Sequence, residues 1–238
     1  VNGTSGLQIA LMLSGVKNGD EVILPALTFV ATANAISYNS AIPHFVDCEK
    51  ETLGIDVNKL SEYLSSITIK KNGNSVNKFT GRIIKAIIPV HTFGHPIQID
   101  GLIEVSKKFN LKIVEDAAES IGSFYKSKHT GTFGDFGVLS FNGNKTITTG
   151  NGGAILTNNM QWAKKVRHLV STAKVSHKWE YNHDAVGYNF RISNLNAALG
   201  CAQIEKFGEM LKIKNKISKK WCSFFDKQDV SFFRPKKE

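Results

Sequence analysis

Two apolar runs and the helix between them decide the fold: Ile83-Ile-Lys-Ala-Ile-Ile-Pro-Val90 and Leu111-Lys-Ile-Val114, separated by residues 98–109. In that middle segment Ile99, Leu102, Ile103, Val105 and Phe109 recur at helical spacing. Strand, amphipathic helix, strand is the unit that builds parallel sheets, because a parallel neighbour needs a long crossover. Outward from this unit the alternation persists. Residues 4–13 read as a helix closed by Gly15 and Asn18-Gly19-Asp20, residues 21–24 as a strand, 30–38 as a helix, 43–47 as a strand and 56–64 as a helix. Residues 138–141 and 154–156 add two further strands. Strands that read as continuous Ile/Val/Leu runs are buried on both faces, so the expected class is α/β: a three-layer α/β/α domain around a mostly parallel sheet. The polar insert Lys70-Lys-Asn-Gly-Asn-Ser-Val-Asn77 reads as a mobile surface loop.

The 238 residues suffice for one large domain with a substantial core, and 42% hydrophobic with 21% charged residues is far from the signature of disorder. No apolar run approaches the roughly 20 residues of a membrane helix, so no membrane insertion is expected. Three widely spaced cysteines, Cys48, Cys201 and Cys222, fit neither a disulfide framework nor a zinc site, and suit a reducing cytoplasm. A net charge of +10 favours anionic partners. Residues 194–217 read as one helix whose distal half carries Lys206, Lys212, Lys214, Lys216, Lys219 and Lys220. Without a helix-turn-helix, RNP or finger pattern, these lysines are expected to form a solvated face, and no nucleic-acid partner is expected.

Several signals carry little. His91-Thr-Phe-Gly-His95 has zinc-binding spacing but lacks the following Glu and lies among Pro89, Gly94 and Pro96, as a pocket loop would; no metal site is expected. Gly134-Asp-Phe-Gly137 stands without any other kinase motif. The remaining histidines have no nucleophile motif to serve in a hydrolase triad.

Three features fall where α/β proteins bind ligands, each at a strand end or a helix start. Asn2-Gly3-Thr4-Ser5 opens a helix, whose free N–H groups and hydroxyls can hold a phosphate or merely cap the helix. Asp116 ends a buried strand, positioned either for a ligand or to cap a following helix. Lys145 follows the strand ending near Phe141 and precedes the glycine-rich Thr149-Gly-Asn-Gly-Gly153. A phosphate cradle, an acid and a lysine together match pyridoxal 5'-phosphate (PLP): the acid keeps the ring nitrogen protonated, and the lysine anchors the aldehyde and carries protons.

Asn2-Gly-Thr-Ser, Gly19-Asp-Glu-Val-Ile, Thr28-Phe-Val-Ala-Thr-Ala-Asn34, Phe45-Val-Asp47, Glu115-Asp-Ala-Ala118, Ser140-Phe-x-x-x-Lys145 and Val186-Gly-Tyr-Asn-Phe-Arg191 resemble, in order and through nearly the whole chain, the DegT/DnrJ/EryC1/StrS family of nucleotide-sugar aminotransferases. The resemblance implies a fold type I PLP-dependent aminotransferase. Residues 1–208 would form the PLP-binding large domain, short of its amino-terminal part, and residues 209–238 a connecting helix and the start of a truncated small carboxyl-terminal domain. It places Thr4, Ser5 and Ser140 at the PLP phosphate, Phe29 over the pyridine face and Asp116 at the ring nitrogen. Lys145 falls on the aldehyde and Asn189 at the phosphate of the neighbouring subunit of a homodimer with shared active sites. Phe29 as core packing is the plain alternative. Glu119 stands where the family often has Gln beside the ring hydroxyl. Pro89-Val-His-Thr-Phe-Gly-His-Pro96, Gly122-Ser-Phe-Tyr125 and Thr172-Ala-Lys174 resemble most the branch serving legionaminic acid and bacillosamine, in surface glycan biosynthesis. That branch implies glutamate as donor and a UDP-linked 4-keto-6-deoxy-N-acetylhexosamine as acceptor, with GDP-linked 4-keto-6-deoxymannose as competitor. Related PLP-dependent sugar dehydratases carry His where Lys145 stands, and a regulator binding a phosphorylated ligand is the non-enzyme alternative. Residues 172–184 are expected to form a mobile loop with His183 as a substrate-contact candidate.

Overall fold

The structure, a computed structural model, describes residues 1–228, 230 and 233–234. Helix α1 (Gly3–Leu13) leads into β1 (Glu21–Pro25), α2 (Val30–Ser37), β2 (Ile42–Val46) and α3 (Val57–Ile67). A hairpin of β3 (Thr68–Lys71) and β4 (Asn74–Asn77) precedes β5 (Ile83–Ile87), α4 (Ile99–Phe109) and β6 (Lys112–Asp116). The two-residue strands β7 (Phe124–Tyr125) and β8 (Lys128–His129) pair with each other, and β9 (Phe136–Ser140), β10 (Gly153–Leu156) and α5 (Met160–Val170) follow. The chain closes on α6 (Asn194–Glu205) and α7 (Phe207–Phe225).

The main sheet runs β10-β9-β6-β5-β1-β2. Strands β2, β1, β5, β6 and β9 are parallel, and β10 is antiparallel at the edge. All five residues of β1 and of β9 are buried, which is why these strands carry no polar alternation. Successive side chains still point to opposite faces. Ile23 joins Leu60 and Leu64 of α3 and Leu102 and Val105 of α4, whereas its neighbours Val22 and Leu24 join Leu7 and Leu11 of α1 and Ile36 of α2. The sheet is thus covered on both sides, and the expected three-layer α/β/α class holds.

Two expected elements, the loop at 70–77 and the helix at 194–217, are corrected. Residues 70–77 are not a loose loop. Asn72 and Gly73 both take left-handed backbone, φ 49° and 76°, and close a two-residue hairpin turn. Strand β4 then docks antiparallel on Ile83 and Ile84. The long helix expected over 194–217 is two, because the backbone leaves helical geometry at Lys206. Residues 172–184, expected to be mobile, are closed at their base: Val175 N donates to Asn182 O at 2.8 Å and Lys174 bridges His183. The expected domain boundary at 208/209 falls in the first turn of α7, and residues 229, 231–232 and 235–238 of the second region lie outside the described residues.

Candidate active site

Four strands deliver their carboxyl ends to one cleft of about 440 Å³. Beyond β1 come Leu27, Thr28 and Phe29; beyond β5, Val90 to Phe93; at and beyond β6, Asp116, Ala118 and Glu119; at and beyond β9, Ser140, Asn142 and Lys145. The first turn of α1 supplies Asn2, Gly3 and Thr4. Asn2 caps α1, its Oδ1 accepting the Ser5 amide at 2.8 Å. The amides of Gly3 and Thr4 have no intrahelical acceptor by helix geometry, and face anions with the positive end of the dipole. A Cβ on Gly3 would stand 3.0 Å from Ser140 Cβ, so any larger residue there would press the helix start away from the end of β9.

Asp116 is buried, and no helix follows it: residues 117–121 are turns and irregular chain. The helix-cap alternative therefore falls away. Its Oδ1 accepts the Ala118 amide at 3.2 Å and its Oδ2 the Thr32 hydroxyl at 2.7 Å, and Thr28 donates in turn to Thr32 at 2.9 Å. Burial pushes the Asp116 carboxyl above the usual carboxylate range, against the opposing pull of Thr32, Ala118 and the charges of His91 and Lys145. A desolvated carboxylate of this kind suits a cationic ring nitrogen. Together with a helix start flanked by Ser140 and an amine at Lys145, these residues fit PLP.

Lys145 Nζ lies 3.0 Å from Glu119 Oε1, and Glu119 Oε2 accepts the Phe93 amide at 3.0 Å. Phe29 is 76% exposed on the cleft wall, which disfavours the core-packing alternative.

Of the expected residues, the cleft collects Thr4, Phe29, Asp116, Glu119, Ser140 and Lys145. Ser5 stands in the same helical turn without lining it. Asn189 is exposed, bridges Ser171 and is not among the lining residues. His183 binds Thr172 O at 2.8 Å instead of entering the cleft. Sequence reasoning read His91 as part of a pocket loop, and His91 does line the cleft, but it gave no role to Thr32 or to the pair that His91 forms with Glu115 beneath the site. Glu115 is 2% exposed; its oxygens accept His91 Nε2 at 3.0 Å and the amides of Gly131, Phe133 and Gly134, each at 2.7 Å. Burial works to lift the Glu115 carboxyl, but His91 and the Gly134 and Gly131 amides outweigh it and hold it below the usual range.

A wider groove of about 800 Å³ runs along α7, walled by Lys212, Lys216, Lys219, Lys220 and Lys227 without any carboxylate or histidine. Among the described residues no cluster of His, Cys, Asp or Glu is arranged to hold a metal ion, and no helix is long and apolar enough to cross a membrane.

A family model for the DegT/DnrJ/EryC1/StrS aminotransferase family matches residues 1–233. The chain is 40% identical over 217 residues to GDP-perosamine synthase of Escherichia coli O157:H7, covering 91% of this chain and 55% of that protein. It is 38% identical over 216 residues to GDP-perosamine synthase of Caulobacter vibrioides, covering 91% and 54%. Among solved structures, a DegT DnrJ EryC1 StrS aminotransferase from Brucella abortus superposes with a TM-score of 0.83 at 28% identity, over 94% of this chain and 58% of that one. Spr1654 from Streptococcus pneumoniae, in its PLP-form, superposes with a TM-score of 0.85 at 28% identity, over 100% and 62%. The chain thus spans about half the length of the curated relatives it matches.

Proposed function

The chain belongs to the DegT/DnrJ/EryC1/StrS aminotransferase family, and from that premise we propose that it carries the catalytic half of a PLP-dependent enzyme moving an amino group from glutamate to C4 of a nucleotide-linked 4-keto-6-deoxy sugar. The observation that carries this reading is the convergence of Thr4, Asp116, Ser140 and Lys145 on one cleft at the carboxyl ends of parallel strands. Held there, PLP would supply an aldehyde that carries the amino group between donor and acceptor and a protonated ring that draws electrons from the carbon being deprotonated.

Each residue then has a task. The first turn of α1, with Thr4, Ser5 and Ser140, would hold the phosphate. Asp116, oriented by Thr32 and Ala118, keeps the ring nitrogen protonated. Phe29 covers one face of the ring, and Glu119 stands beside the ring hydroxyl and Lys145. The Lys145 amine anchors the cofactor; once free, it removes the proton from Cα of the donor and delivers one to C4 of the acceptor. Asn189 reaches the phosphate of the second subunit of a homodimer, which agrees with its exposure and its place outside the cleft of its own chain. Residues 1–208 act as the cofactor domain, and α7 leads toward a small domain. The three unpaired cysteines support a cytoplasmic setting.

Relatives named GDP-perosamine synthase, at 37–40% identity, favour a GDP-linked acceptor over the UDP-linked sugar of the legionaminic acid and bacillosamine branch. The deciding experiment incubates the full-length natural protein, PLP and glutamate with GDP- and UDP-linked 4-keto-6-deoxy sugars and reads the product by mass. An amino sugar from the GDP substrate is expected; product from the UDP sugar alone restores the other branch, and no product from either overturns the reading.

A further inference from the structure

The segment after β5 holds an unusual combination. Phe93 has left-handed backbone, φ 53°, which a bulky residue rarely adopts, yet its ring is 69% exposed and lines the cleft. Strain of this kind persists only where the surroundings impose it, and it concentrates at functional sites. Here the turn is closed by Gly94 N on His91 O and His95 N on Thr92 O, each at 3.0 Å, and anchored by Glu119, whose Oε2 takes the Phe93 amide. Gly94 completes the turn at φ 84°, where a Cβ would meet Glu119 O at 3.0 Å. The two preceding residues, His91 and Thr92, also line the cleft. Among the described residues their Nδ1 and Oγ1 are the buried side-chain polar atoms without a partner. Buried polar atoms are rarely left so, and such a gap marks a place that a bound molecule completes.

The other oxygen of Glu119 fixes where this turn stands. It pairs with Lys145 Nζ at 3.0 Å, so one carboxylate joins the reacting amine to the Phe93 amide. We propose that Phe93 is a specificity-determining residue for the amino acceptor: its ring walls the space through which a keto-sugar brings its carbonyl to Lys145, and Glu119 is the positioning residue that holds it there. This rests on the aminotransferase reading above and deepens it. Glutamate offers a phenyl ring little, since its two carboxylates call for cationic groups and hydrogen-bond donors instead. A 6-deoxy sugar presents a methyl group and C–H faces next to its C4 carbonyl, which are the surfaces an aromatic wall covers favourably.

The test uses the full-length natural protein loaded with PLP and follows the two half-reactions separately by visible absorption, first with glutamate and then with the GDP-linked 4-keto-6-deoxy sugar. Phe93→Ala is expected to slow the sugar half-reaction at subsaturating sugar about tenfold more than the glutamate half-reaction. Phe93→Asn separates ring from backbone, because Asn tolerates left-handed geometry but lacks the ring. It should share the defect, whereas Phe93→Tyr should keep most of the wild-type rate. Glu119→Gln should raise the sugar concentration needed for half-saturation, since an amide cannot accept from both Lys145 and the Phe93 amide through its two ends. Wild-type behaviour of Phe93→Asn, or equal slowing of both halves in Phe93→Ala, overturns the proposal alone. A wild-type protein that runs neither half-reaction overturns the aminotransferase reading and this inference with it.

Discussion

Thr32 Oγ1 donates to Asp116 Oδ2 at 2.7 Å with both residues buried, so a carboxylate is held ready in a place that penalises its charge. The cofactor-free protein is therefore destabilised by the group that its chemistry needs.

Asp116→Asn should separate the two effects. Asn can accept the Ala118 amide and donate to Thr32, so it keeps both contacts without the buried charge. The folded-state value of Asp116 lies above the unfolded 3.8, so its cost grows as pH rises from there and is full above the folded value. At neutral pH the cofactor-free variant should gain about 1 kcal/mol, or roughly 2–4 °C in Tm, with the gain fading in acid. Turnover should fall by roughly 10²-fold or more, because an amide cannot keep the ring nitrogen protonated. Thermal scans at two pH values and a turnover assay check both; unchanged turnover with PLP bound would leave Asp116 a purely structural residue.

Lys145→Ala should abolish both the visible absorption of lysine-anchored PLP and the turnover. The fold should survive with Tm shifted by no more than about 2 °C, since among the described residues the side-chain partner lost is the half-exposed Glu119. Multiple turnovers in this variant would remove Lys145 from the mechanism.

Glu115→Gln tests the clamp beneath the site. One amide end would face hydrogen-bond donors that now meet an oxygen, and breaking a buried charged network of this type costs about 3 kcal/mol. The corresponding drop in Tm is roughly 6–12 °C. The folded-state value of Glu115 is depressed, so its stabilisation is fully present above the unfolded value of 4.5 and is lost as pH falls through the lowered folded value. Wild type and variant should converge in strong acid. A constant gap across the pH range would be incompatible with an ionised Glu115 as its origin.

Asn189 is tested by mixing subunits. Asn189→Asp should weaken PLP retention through repulsion of the partner's phosphate, while Lys145→Ala fails chemically. If subunits exchange at random, half the dimers are mixed and each has one intact site, so about a quarter of wild-type activity should return under limiting PLP. No recovery despite confirmed exchange would place Asn189 outside the neighbouring site.

The sheet was legible because its central strands are built on short Ile/Val/Leu runs and helices such as α3 and α4 are amphipathic, so the hydrophobic pattern separated them. The β3–β4 hairpin was not, although Asn72-Gly73 announces such a turn. Its strands lack apolar alternation because two of the three buried residues of β4 are polar: Ser75 donates to Phe109 O at 2.6 Å and Asn77 to Glu21 at 3.0 Å. Asp116, Lys145 and Thr4 could be picked out by their places at strand ends and a helix start, and Ser140 through the family resemblance. Thr32 could not, since its partner lies 84 residues away, and the His91–Glu115 pair looks like unrelated loop and strand chemistry until β5 and β6 lie side by side.

The seating of α1 has a consequence in time. Synthesised at the start of this stretch, the helix rests its first turn on Ser140, and Gly6 leaves room for Val138, both on β9. The phosphate cradle therefore does not exist until β9 has also emerged and the chain has crossed back over the sheet, a topology rich in distant pairings and correspondingly slow to assemble. Capture of PLP then becomes a late event in maturation, and the appearance of its colour during refolding should lag behind the recovery of helical signal.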